Sequence, residues 1–293
     1  MRTVHLIDSL PYVFRAYYSI PASMTDPEGR PVNAVYGFCG MLLRYLAEEQ
    51  PTHIALTFDE SLDTSFRNDA YPAYKSSREP APPELVHQIQ ACVDLGRALG
   101  MPTYADDRYE ADDLIGTLAA KFTKGGHRCV VVTNDKDLGQ LVNDQVEFYD
   151  FAKGDRRDAA GVRAKLGVWP HQVPDFLGLA GDAVDDIPGV AGVGAKTAVA
   201  LLEAFDDLDA IYADLGAVAA MSIRGAKSVA AKLEAGRELA FLSRDLATIA
   251  RDAPVAAGLR ELAYRGADAA LIDPLFERLG FGRVRDRIGR WQP

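Results

Sequence analysis

Tyr109-Glu110-Ala111-Asp112-Asp113 places three carboxylates within four residues, and Leu114, Ile115, Leu118, Ala119 and Phe122 follow. The apolar positions repeat at helical spacing, so the stretch opens a helix with one side against a core. Glu110 and Asp113 stand three apart and share a face of its first turn. Acids at a helix N-terminus favour the macrodipole by roughly 0.3–1 kcal/mol each. One or two would serve that purpose. Three crowd like charges together, and a hard divalent cation with oxygen ligands relieves the crowding.

Working outward, residues 4–8 read as a buried strand ending in Asp8, and residues 53–59 as a second ending in Asp59. A third covers 128–133 through Val130-Val131-Val132, with Asp135 and Asp137 close behind; a fourth covers 146–149. Helical patterns over 33–49, 84–99 and 110–124 separate the strands. This alternation predicts an α/β fold with a mostly parallel sheet. Such sheets place their ligands at the carboxyl ends of the strands, where Asp8, Asp59, Asp135 and Asp137 fall. Residues 61–83 differ. They are poor in aliphatics, hold Phe66, Arg67, Tyr71, Tyr74, Lys75 and Arg78, and carry prolines at 72, 80, 82 and 83. This segment reads as a mobile excursion.

Beyond about residue 159 the strand signals fade and the chain reads as helical. Asp182-Ala183-Val184-Asp185-Asp186-Ile187-Pro188-Gly189 leads into Val190-Ala191-Gly192-Val193-Gly194-Ala195-Lys196-Thr197 and then a helix. The glycines suggest positive φ or close approach of a ligand. A nucleotide phosphate loop is excluded, because Ala195 separates Gly194 from Lys196 and no strand precedes it. A dinucleotide fingerprint fails at Thr197, where its third glycine belongs. A hairpin between two helices remains, either a plain turn or one offering backbone N–H groups to a phosphodiester.

The chain has 293 residues, enough for one large domain or two. It shows no run of about 18 apolar residues, so no membrane span is expected. Its first residues read as a strand rather than a signal peptide. Cys39, Cys92 and Cys129 are scattered among apolar neighbours without paired spacing, which fits buried thiols and a reducing cytoplasm.

Together these stretches resemble the bacterial 5′-nuclease (flap endonuclease) family. The matching pieces are Phe58-Asp59, Ser65-Phe66-Arg67, Tyr74-Lys75-Ser76-Ser77-Arg78, residues 109–113, 133–138 and 181–197. Weaker ones are residues 242–249 and Leu279-Gly280-Phe281. They run in family order over nearly the whole chain, with no polymerase following, as in a stand-alone form. The resemblance implies a PIN-like core over about 1–158 with a helical arch over about 61–84. It implies a helical DNA-binding region over 159–293 with a helix-hairpin-helix over about 177–205, packed on the core. It carries over nine metal-holding acids: Asp8, Asp59, Glu110, Asp112, Asp113, Asp135, Asp137, Asp182 and Asp185. Two or more magnesium or manganese ions are expected there. Lys75 and Arg78 match arch residues that approach the scissile phosphate, and Tyr74 an aromatic that stacks near the 5′ end. Arg67 counts among the expected DNA contacts. Gly189, Gly192, Gly194, Lys196 and Thr197 match the hairpin that grips duplex DNA, commonly with a potassium ion on its carbonyls.

Two departures stand out. Ser9-Leu10-Pro11 follow Asp8 where the family usually has Gly-Ser/Thr, and Asp186 replaces the usual Asn. The net charge of −10 does not exclude DNA. Setting the nine acids aside from the total of 42 leaves 33 against 32 Lys and Arg, a nearly neutral remainder.

The implied activity is hydrolysis of DNA phosphodiesters at or near 5′ ends, as a 5′-3′ exonuclease and 5′-flap endonuclease. A non-catalytic binder of branched DNA is the alternative, but it would gain nothing from nine acids facing DNA. An aspartyl-phosphate phosphatase would want a second acid where Leu10 stands. A PIN-type ribonuclease would lack the hairpin and the arch.

Overall fold

The computed structural model describes residues 1–60 and 64–292. Positions 61–63 of the expected arch lie outside the described residues. Strand β1 (Thr3–Asp8) leads into helix α1 (Leu10–Ser19), then α2 (Asn33–Glu49), β2 (Ile54–Thr57), the short α3 (Phe66–Ala70) and α4 (Pro83–Ala98). Next come β3 (Thr103–Tyr104), α5 (Ala111–Lys124), β4 (Arg128–Val132), a 3₁₀ turn (Lys136–Leu141), β5 (Val146–Asp150) and β6 (Asp155–Arg157).

The sheet runs β3-β2-β1-β4-β5-β6, with all pairings parallel except β5 with β6. Chain order therefore reverses between β1 and β4, and their carboxyl ends flank the crevice where such sheets bind ligands. Asp8 pairs with Thr57 and Ile7 with Val132, so β1, β2 and β4 end level with one another. Alternation along each strand splits the core. Ile7, Leu56 and Val132 face α1, α2 and α4, while Leu6, Ala55 and Val131 face Ile115, Leu118 and Phe122 of α5.

The predicted strands and helices are all present, with ends shifted by no more than two residues. Helix α1 and the edge strands β3 and β6 were not expected from the pattern. Two and three residues are too few to show a period. Helix α1 also accommodates the first departure. Pro11 occupies its first turn, where the missing N–H costs no hydrogen bond, while Ser9 is buried and gives its N–H to the Thr57 carbonyl at 3.1 Å.

The second half is helical: α6 (Ala159–Leu166), α7 (Val173–Ala180), α8 (Ala195–Ala204), α9 (Leu208–Ala213), α10 (Leu215–Ala220), α11 (Ala226–Ala235) and α12 (Arg237–Ala247). These helices enclose a second apolar cluster. Helix α13 (Ala269–Leu279) returns to the first, where Ile272, Leu275 and Phe276 pack with α2 and α4. No helix among the described residues is long and apolar enough to cross a membrane. The three thiols are free and buried.

His5 lies in β1 at 7% exposure, with Nδ1 against the Tyr45 hydroxyl. Burial pushes its imidazole down from 6.5 to about 4. Between those pH values the unfolded chain binds the extra proton, so stability falls as pH drops, by at most about 3 kcal/mol. The urea midpoint of the wild type is expected to fall more steeply from pH 6.5 to 4.5 than that of His5→Asn. Equal slopes would remove His5 from the acid sensitivity of the fold.

Candidate metal centre and nucleic-acid interface

Asp8 ends β1, buried, and its Oδ2 accepts from the Thr133 hydroxyl at 2.8 Å. That hydroxyl oxygen also accepts the Asp135 N–H at 2.9 Å, so Thr133 holds the Asp8 carboxylate and the Asp135 backbone. Asp59, just beyond β2, accepts the first N–H of α5 from Ala111 at 2.7 Å. Asp135 accepts the Asp137 N–H at 2.9 Å as the chain turns into the 3₁₀ segment.

The three acids that open α5 take three different roles. Asp113 is fully buried, and Arg67 donates to it through Nη1 at 2.7 Å and Nη2 at 2.8 Å. It also accepts the N–H groups of Glu110 at 3.1 Å and Ala250 at 2.8 Å. Its oxygens are thus committed within the protein, where the resemblance implied a metal-holding acid. Glu110 meets the Lys75 ammonium and, at 3.3 Å, the Tyr74 hydroxyl. Asp112 accepts no protein hydrogen bond among the described residues and faces the other carboxylates.

The crowding appears in the acidities. Burial pushes the Asp112 carboxyl well above the usual range, and the charges of Asp8, Asp135 and Asp59 push it further. Burial, then Asp59, does the same to Asp8; burial, then Glu110, raises Asp59. Asp137 is raised to about 7, by burial first and Asp135 next. Among the described residues no three Asp, Glu, His or Cys side chains converge closely enough to hold one ion directly. Magnesium commonly keeps several waters and takes one or two carboxylates directly. A hard-oxygen donor set with mutually raised carboxyls fits such an ion, as does the buried Glu110 Oε1, which has no hydrogen-bond partner; Asp137 Oδ1 also accepts no hydrogen bond and lies 3.6 Å from the Lys136 ammonium.

Within residues 64–82, Arg67, Tyr74, Lys75 and Arg78 reach the acids. Arg67 is 3% exposed, and besides Asp113 it donates to the carbonyls of Leu246 at 2.7 Å and Thr248 at 2.9 Å. It is an internal strut with no face left for DNA. Tyr74 is also buried, beneath the Lys75 ammonium, so it is not placed to stack on a base. Polar side chains enter here because carboxylates receive them. Burial alone would lower the Lys75 ammonium, yet Glu110, Tyr74, Asp185 and Asp59 more than offset this and keep it charged. Arg78 pairs with Asp185.

The loop 181–194 joins α7 to α8. Asp182 pairs with Lys136; Lys136 and Thr133 flank the acid run at Asp135, the one sequence signal that marks them. Burial would raise Asp182, but the Lys136 ammonium holds it low. Gly189 has φ +59, and an added Cβ would lie 2.3 Å from the Gly181 nitrogen. Gly189 is therefore buried packing. Gly192 has φ +76 and is exposed, whereas Gly194 is exposed at an ordinary φ of −98. Lys196 is exposed and Thr197 half-buried at the start of α8, so these positions form an open backbone face.

The fold and site define an α/β protein with an acidic crevice at its switch point and a helical second half. The chain belongs to the 5′-3′ exonuclease family. The family model for the 5′-3′ exonuclease N-terminal resolvase-like domain matches residues 3–167, and that for the 5′-3′ exonuclease C-terminal SAM fold matches 168–270. It is 41% identical to DNA polymerase I of Bacillus caldotenax over 97% of this chain and 32% of that protein. It is 38% identical to DNA polymerase I of Mycobacterium bovis over 98% of this chain and 31% of that protein. The chain thus spans about a third of the length of these relatives. Among solved structures it is similar to T5 5′-exonuclease with bound zinc (TM-score 0.69, 17% identity, 98% of each chain). It is also similar to the catalytic core of Rad2 with a DNA substrate (TM-score 0.58, 14% identity, 95% of this chain and 88% of that one). At these identities the likeness shows the fold.

The roles of Asp112 and Asp113 separate by thermal unfolding in chelator. Because the folded state raises the Asp112 pKa, the unfolded chain ionises first and the carboxylate costs stability at neutral pH. Asp112→Asn is expected to raise the Tm. Asp113→Asn leaves Arg67 buried and unpaired, and is expected to lose about 3–5 kcal/mol. The reverse order would contradict the assignment.

Proposed function

We propose that the chain hydrolyses DNA phosphodiester bonds at or near 5′ ends, both exonucleolytically and at 5′ flaps. The observation that carries this reading is the convergence of Asp8, Asp59, Asp112 and Asp135 at the carboxyl ends of β1, β2 and β4, beneath Lys75 and Arg78. These acids, with Glu110, Asp137, Asp182 and Asp185 further out, would hold two magnesium or manganese ions. Such ions lower the pKa of an attacking water and neutralise the leaving oxygen in an in-line displacement.

The chain's own side chains do the positioning. Lys75 and Arg78 are held charged against Glu110 and Asp185, and an entering phosphodiester would take these cations over. There they would stabilise charge developing on the phosphoryl oxygens. Thr133 keeps Asp8 and Asp135 in place throughout. The open face of Gly192, Gly194, Lys196 and Thr197 suits the backbone of the adjoining duplex, as a helix-hairpin-helix would. The Gly192 carbonyl already accepts from the Lys232 ammonium at 3.1 Å, so a potassium ion at this hairpin would share it with Lys232. No observation favours a binder without cleavage, since uncompensated acids would repel the DNA backbone.

Incubation with a 5′-flap duplex tests the proposal: cleavage is expected with magnesium or manganese and none with chelator. Lys75→Ala should lower the single-turnover rate by about 10²–10³-fold, the scale of a lost oxyanion donor, with only a modest change in affinity measured in calcium. Absence of cleavage with either metal would overturn the function. A pure affinity loss would remove Lys75 from the chemistry.

A further inference from the structure

Asp186 is the residue by which the acidic loop departs from the pattern it resembles, and the structure gives it a partner. Its Oδ2 accepts the Ser77 N–H at 2.8 Å across 109 residues of sequence. Three neighbouring contacts cross the same seam. The Lys75 N–H donates to the Asp185 carbonyl at 3.0 Å, Arg78 Nη2 pairs with the Asp185 carboxylate, and Arg78 Nε reaches the Val184 carbonyl at 3.4 Å. Lys75 and Asp186, facing each other across it, both have φ near +54. Side chains seldom adopt that conformation unless the surroundings impose it, and Asp and Asn tolerate it best.

We propose that Asp186 is a positioning residue: its carboxylate fastens the Lys75–Arg78 turn to the loop carrying Asp182 and Asp185. The cations over the crevice then move together with the acids of the second half. An Asn at this position would keep both the left-handed backbone and a carbonyl acceptor for Ser77. The Asp therefore conserves the latch and adds charge to the bond. Its Oδ2 is committed to the Ser77 N–H, so this oxygen serves the latch. The latch joins the proposed duplex-gripping loop to the proposed catalytic cations, and so rests on the nuclease reading for its purpose but not for its geometry.

The test compares Asp186→Gly, which keeps the left-handed backbone and deletes the acceptor, with Asp186→Asn, which keeps both. Trypsin cleavage after Lys75 and Arg78 in chelator reads the latch directly. A single-turnover rate on a 5′-flap duplex in magnesium and duplex affinity in calcium read its use. For one charge-assisted bond the Asp186→Gly protein should be nicked ~10-fold faster and cut DNA ~10-fold more slowly, with duplex affinity within ~2-fold of wild type. Asp186→Asn should restore both rates to within ~3-fold of wild type, since it retains the acceptor. Wild-type nicking of Asp186→Gly, or an Asp186→Asn protein as impaired as Asp186→Gly, would overturn the latch. If the wild type cut no DNA, the nuclease reading would fail while the trypsin comparison still decided the latch.

Discussion

Carboxylates that repel one another at the ends of three parallel strands are the constraint around which the rest of the chain is arranged. Asp8, Asp59 and Asp135 are brought together by the level ends of β1, β2 and β4, Asp112 joins them from the first turn of α5, and burial raises the cost of charging them. The protein does not relieve this by separating them. It places cations around the group instead: Lys75 on Glu110, Arg78 on Asp185 and Lys136 on Asp182. A phosphodiester backbone and divalent cations are the two kinds of charge such an arrangement can exchange with.

The Arg67–Asp113 pair is the fixed counterpart of that exchangeable site. It lies at the junction of α3, the start of α5 and the end of α12, where Arg67 also takes the Leu246 and Thr248 carbonyls. Gln140 reinforces the same corner, donating to the Ala247 carbonyl and accepting from Ile249. Each guanidinium nitrogen and each carboxylate oxygen of the pair has a hydrogen-bond partner, which favours tolerance of a buried ion pair. Removing either member would leave a buried charge unpaired, whereas the crevice acids lose repulsion when one is neutralised.

Much of this was legible in the sequence, because strand ends followed by Asp are local patterns. Asp8, Asp59 and Asp135 could each be placed at the carboxyl end of a strand from neighbouring residues alone, and the parallel sheet fixes the rest. The division of labour between Asp112 and Asp113 was not legible. Which of two adjacent acids turns inward depends on Arg67, 46 residues away, and on a backbone N–H from Ala250. For the same reason composition does not show where the side chains of the segment 64–83 go. Its polar residues mark a surface segment by every local rule, yet buried carboxylates draw Arg67, Tyr74 and Lys75 inward. The edge strands β3 and β6 were too short to carry a period, and Gly194 has the residue type of a strained turn without its geometry.

The central claim is that the crevice between β1 and β4 holds the divalent ions and that Asp113 does not. Anomalous diffraction from crystals grown with manganese tests it most directly. The account predicts strong peaks bounded by Asp8, Asp112 and Asp135, with at least one carboxylate oxygen at a direct ligand distance of roughly 2.1 Å. An empty crevice, or a peak on the Asp113 carboxylate in place of Arg67, would contradict it.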